Sequence, residues 1–104
     1  MKNKYGASFE EHLLTQLRDP EFAAEYIMAA IRENDIKFLP IALGDVAKAF
    51  GITKLAGKSG VHRRTLYKVF EKNSNPSFEL VTKIANQLGL QLQFVPKRKS
   101  KKAS

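Results

Sequence analysis

The stretch from Ile52 to Phe70 constrains this chain most, because its residue classes fit two short helices meeting at a tight turn. Leu55 and Ala56 fall on the inward side of the first helix, and the small Ala56 lets the second approach closely. Gly60 permits the positive φ that such a turn needs. Val61 plugs the corner. Leu66, with Val69 or Phe70 one turn on, buries the inner face of the second helix. The outer face is left with His62, Arg63, Arg64, Tyr67 and Lys68.

The flanking sequence is helical as well. Residues 1–7 are polar and patternless, and Ser8 is the expected cap of a first helix striped by Leu13, Leu14 and Leu17. Asp19-Pro20 stops that helix and starts the next, since a cap aspartate followed by a first-turn proline leaves no helical hydrogen bond unmade. Phe22, Ala23, Tyr26, Ile27, Ala30 and Ile31 then recur at helical steps. A third helix is expected from Ile36 to Phe50, with Pro40 tolerated early in it and Gly51 closing it. The helix pair occupies about residues 53–70. Asn73-Ser74-Asn75-Pro76 is a loop signal, and Ser77 caps a last helix through Leu88, ended by Gly89. Leu90, Leu92 and Phe94 alternate with Gln91, Gln93 and Val95, which predicts one strand closed by Pro96. The expected architecture is all-α, a single helical domain over residues 8–95 with extra N-terminal helices and one short C-terminal strand. Residues 1–7 are expected to be flexible and the basic tail 96–104 disordered.

Charge is segregated along the chain. Residues 1–51 carry 6 basic and 8 acidic side chains, whereas residues 52–104 carry 12 basic and 2 acidic. The tail supplies five of those cations, and residues 52–96 still hold a net charge of +5 without it. Such a half favours a polyanion, most simply nucleic acid. Arginine can bond bidentately to guanine, and the first residues of the second helix point at base edges in a major-groove reader. Arg63 and Arg64 stand there, Lys68 lies one turn beyond, Tyr67 can stack or bond a phosphate, and His62 can read a base or simply cap the helix. Thr53, Lys54, Lys58, Lys72 and Asn73 are the candidate phosphate contacts. The plainer alternative is that His62 to Lys68 forms a solvated basic face.

The segment resembles the helix-turn-helix of lambda-repressor-like (Cro/C1, XRE-type) regulators. The wider match resembles the addiction module antidotes, HigA-like antitoxins of type II toxin–antitoxin modules. It is carried by Leu13 to Tyr26 with its Asp19-Pro20 step, by Leu43 to Gly51, by Leu55-Ala56 with Ser59-Gly60-Val61 and Arg63 to Tyr67, and by Asn75-Pro-Ser-Phe78 leading to Leu88-Gly-Leu90. The resemblance implies neutralisation of a RelE/ParE-like toxin and repression of the chain's own operon by a dimer on palindromic DNA. A toxin surface is expected on the acidic N-terminal helices, at Glu10, Glu11, Glu21 and Glu25, because a nucleic-acid-targeting toxin is usually basic. The alternative is that these helices only extend the core. The Leu90–Val95 strand edge is the candidate dimer contact.

Other classes fare worse. The chain lacks cysteine, which excludes disulfide frameworks and thiolate sites. His12 and His62 have no metal-ligand spacing, and no nucleophile, base and orienter stand together. Neither an enzyme nor a cofactor is expected. No apolar run approaches the roughly 18 residues of a membrane span, and no signal-peptide core follows Met1, so a soluble, cytoplasmic chain is expected. Two alternatives remain: a prophage-type repressor without a toxin partner, and a protein-binding adaptor in which Arg63 and Arg64 are incidental.

Overall fold

Proline and glycine punctuate the fold. The computed structural model describes the backbone of residues 4–97 and the side chains of residues 9–97. Its elements are α1 (Lys4–Gln16), α2 (Pro20–Glu33), a 3-10 turn (Ile36–Phe38), α3 (Leu39–Phe50), α4 (Ile52–Ser59), α5 (Arg63–Val69) and α6 (Phe78–Gln87). Asp19 caps α2, its side chain accepting from the Glu21 N–H, and Pro20 opens the helix. Ser77 caps α6 by accepting from the Leu80 N–H at 3.1 Å. Both caps are where the sequence puts them.

Three boundaries differ from expectation. α1 begins at Lys4, so Ser8 lies inside the helix rather than at its cap. Of residues 4–7 only Gly6 opposes a helix, at about 1 kcal/mol relative to alanine, and the helix runs through it. Residues 1–3 of the expected flexible N-terminus lie outside the described residues, as does the tail from Arg98 onward. The expected helix from Ile36 is divided. In a continuous α-helix the Pro40 ring would meet the carbonyl of Ile36, four residues back. The chain instead winds Ile36–Phe38 as a 3-10 turn capped by Asp35, and α3 starts at Leu39 with buried Pro40 in its first turn.

The third correction concerns the C-terminus. The expected strand at Leu90–Val95 is not formed, and there is no strand among the described residues. A strand exists only when another strand takes its N–H and C=O groups. None of the described residues supplies one. α6 instead ends in a glycine cap: Gly89 at φ 84° donates to the Asn86 carbonyl and Leu90 donates to the Ala85 carbonyl. Residues 91–97 continue without regular structure.

α3 is the centre of the fold. Ala42, Leu43, Val46 and Ala47 are buried on it, and it packs against α1, α2, α4 and α5. Leu17 closes the core beside the α1–α2 corner, while Ala23 and Ile27 enter from α2. Leu55, Val61, Leu66 and Val69 enter from the α4–α5 unit, and Val81, Ile84 and Leu88 from α6.

Candidate nucleic-acid interface

The basic face depends on how α4 and α5 are held together. α4 ends at Gly60, which stands in the left-handed region at φ 77°, ψ 9°. An L side chain strains that conformation, so glycine suits the corner. The Ser59 side chain is buried, and its Oγ accepts from the Val61 N–H at 3.1 Å. That bond satisfies a backbone donor the turn would otherwise bury unpaired. Leu55 on α4 and Leu66 on α5 are both 0% exposed, which pins the two inner faces to the core. Val61 is buried at the corner, as its position in the sequence suggested.

α5 has a second anchor. Phe70, at its C-terminal end, lies against Gly44 of α3 so closely that a Cβ at position 44 would stand 2.8 Å from the Phe70 Cβ. The chain then turns through Asn73 at φ 68°, and the Ser74 hydroxyl donates to the Val69 carbonyl. Asparagine tolerates the left-handed region better than most residues. Asn73 thus has a turn-forming role beside its candidate phosphate role. The sequence places Ser59 and Ser74 in turn motifs and Gly44 within a helix, but gives none of the three these contacts. The Ser-Gly pair before Val61 was the available signal for Ser59, whereas the Gly44–Phe70 approach joins positions with no local pattern.

With its inner side fixed, α5 leaves His62, Arg63, Arg64, Tyr67 and Lys68 exposed. They share one shallow depression with Glu71, an acidic side chain that the sequence reading left off this face. His62 occupies the cap position of α5, but its side chain makes no capping bond. The Arg63 guanidinium lies 5.9 Å from the Tyr67 ring centroid, within cation–π reach. Thr53, Lys54 and Lys58 are exposed on α4, and Lys72 and Asn73 are exposed in the turn after α5. The candidate phosphate contacts therefore flank α5 on both sides in the chain. The Lys54 ammonium stands 4.6 Å from the Phe50 ring centroid.

The acidic candidates lie elsewhere. Glu10 and Glu11 are exposed on α1, and Glu21 and Glu25 are exposed on α2. Between α2 and α3 the Tyr26 hydroxyl donates to Asp45 Oδ2 at 2.6 Å. Burial first, and then the hydrogen bond to the carboxylate, push the Tyr26 phenol up to about 12. Among the described residues no group of three or more His, Cys, Asp or Glu is arranged to hold a metal ion. No described helix is long and apolar enough to cross a membrane.

An all-helical domain presenting one exposed basic helix has relatives. Residues 8–96 match the model of a family described as probable addiction module antidote protein, and the chain belongs to that family. An uncharacterized protein of Haemophilus influenzae is 33% identical over 88 residues, which covers 85% of this chain and 87% of that protein. No solved structure matches the chain significantly. Membership of an antidote family implies a toxin as partner.

Proposed function

We propose that this chain is the antitoxin of a type II toxin–antitoxin module, and that it represses its own operon by reading DNA with α5. In this reading α4 and α5 form a lambda-repressor-like helix-turn-helix. Arg63 and Arg64 enter the major groove first, with His62, Tyr67 and Lys68 completing the base-reading face. Thr53, Lys54, Lys58, Lys72 and Asn73 hold the phosphates on either side. Two copies place their α5 helices in successive major grooves, roughly 34–36 Å apart, on a palindromic operator.

One observation carries the reading: α5 is anchored by a fully buried Leu66 while its first turn exposes Arg63 and Arg64 side by side. A rigid helix with free cationic forks is what direct base readout requires. The Gly44–Phe70 contact also fixes the C-terminal end of α5 against α3. The toxin reading rests on the family and on charge complementarity, with a basic RelE/ParE-like toxin meeting Glu10, Glu11, Glu21 and Glu25.

The test uses the full chain and the DNA upstream of its gene, titrated against scrambled DNA, with and without the product of the adjacent gene. The reading predicts selective binding that the adjacent product changes. It also predicts that the chain relieves the toxicity of that product on co-expression. Indifference to sequence, with neutralisation intact, would leave a protein-binding antidote whose α5 face is only solvated. Sequence-selective binding with no effect on the neighbour would favour a repressor without a toxin.

A further inference from the structure

Arg18 belongs to the acidic half of the chain, yet the fold sets it beside the first turn of α4. Arg18 and Lys54 line one open cleft of about 470 Å³, together with Leu17, Val46, Phe50 and Leu88. Among the described residues no acidic side chain lines it. Leu17, Val46 and Leu88 are buried, so the cleft is built on the core. Arg18 directly follows Leu17, and its N–H donates to the Thr15 carbonyl at 3.3 Å, which fixes where its exposed side chain leaves the backbone. On α4 the Lys54 ammonium is held 4.6 Å from the Phe50 ring centroid, at the same cleft. The nearest carboxylates in the chain are committed elsewhere. Asp19 accepts from the Glu21 N–H as the cap of α2, and Glu21 borders a different groove, with Met28 and Leu92.

We propose that this cleft takes a phosphate of the DNA backbone, held by Arg18 together with Lys54, so that the α1–α2 corner is part of the DNA-binding surface. This contact rests on the DNA reading above and extends it to a part of the chain outside the helix pair. Two cations that share a cleft without a carboxylate repel each other, and an anion between them relieves that repulsion. The arginine fork matches two oxygens of one phosphate, whereas Lys54 supplies a point charge. The first helix of a helix-turn-helix crosses the sugar-phosphate backbone beside the groove that its partner helix reads. The first turn of α4 therefore meets a phosphate strand and not base edges, and the cleft beside it meets the same strand. The N-terminal helices then do two things: their acidic side chains lie away from this cleft, and their corner carries a cation to the DNA.

Titration of the full chain with the upstream duplex and with a scrambled duplex, between roughly 50 and 200 mM salt, tests this. Arg18→Ala should weaken binding to both by about 10-fold at the low-salt end and reduce the slope of log affinity against log salt by about 1. The ratio of the two affinities should not move, because a phosphate carries no sequence. Arg18→Lys keeps the charge and should keep the slope. Arg18 is exposed, so thermal unfolding of both variants should match the wild type. The second arm replaces single phosphates of the upstream duplex with neutral methylphosphonates. At one phosphate in each half-site the wild type should lose affinity and Arg18→Ala should lose much less. An Arg18→Ala chain with the wild-type salt slope and the wild-type response to every neutralised phosphate overturns the inference. That result leaves the DNA reading standing, and it is what an acidic protein partner at the cleft would give. A loss confined to the upstream duplex overturns it too, since Arg18 would then read a base. A wild type that binds neither duplex overturns both, and the wild-type titration alone shows that case.

Discussion

Gly44 on α3 and Phe70 at the end of α5 approach so closely that only glycine fits beneath the ring: a Cβ there would lie 2.8 Å from the Phe70 Cβ and 3.0 Å from its Cγ. This contact ties the C-terminal end of the basic helix to the central helix of the fold. Gly44→Ala gains helix propensity worth about 1 kcal/mol, but it overpacks a core contact, which typically costs about 1–3 kcal/mol. The expected result is a net loss of stability in urea unfolding. A loss of operator affinity should accompany it, because α5 must shift to make room.

Ser59→Ala removes the side-chain acceptor of the Val61 N–H. A buried donor left unpaired costs about 1–3 kcal/mol. Thermal unfolding should show that loss. Ser59→Thr keeps the hydroxyl and should recover much of it if the extra methyl is accommodated.

How much of this was legible in the sequence follows from which forces are local. The Asp19 and Ser77 caps, the Gly60 turn and the burial of Leu55, Val61 and Leu66 could be read directly, because each depends on residues within one or two turns. Pro40 is visible too, but the helical periodicity from Ile36 runs through it and does not show that its clash with the Ile36 carbonyl sets off a separate 3-10 turn. The Leu90–Val95 alternation gave the right period and the wrong state, since periodicity cannot say whether a partner strand exists. The Gly44–Phe70 contact and the Tyr26–Asp45 bond join helices far apart in the chain, so no local pattern encodes them.

Tyr26 makes stability depend on alkaline pH. Its phenol is raised to about 12 in the folded chain, against an ordinary value of 10.0, so the folded state holds the proton more tightly than the unfolded state. The associated stability is fully present below about pH 10 and is lost as pH rises through about 12. Tyr26→Phe should remove this contribution to the pH dependence in that window. At neutral pH it should cost about 1 kcal/mol for the lost hydrogen bond. Denaturant unfolding at pH 8 and pH 11 separates the two effects.

The cations flanking α5 should act on all DNA alike. Lys54→Ala and Lys72→Ala should weaken specific and scrambled fragments by similar factors. Each should also reduce the slope of log affinity against log salt by about 1, the signature of one lost phosphate contact. Binding measured between roughly 50 and 200 mM salt gives the slope.

The most direct measurement is the specificity ratio of the Arg63→Ala and Arg64→Ala variants, taken as affinity for the upstream DNA over affinity for scrambled DNA at one fixed salt concentration. If these side chains read bases, each substitution costs about 1–3 kcal/mol on the upstream DNA and far less on scrambled DNA, and base preference relaxes at one position per half-site. Equal losses on both DNAs would contradict base reading by α5 and leave its arginines as phosphate contacts.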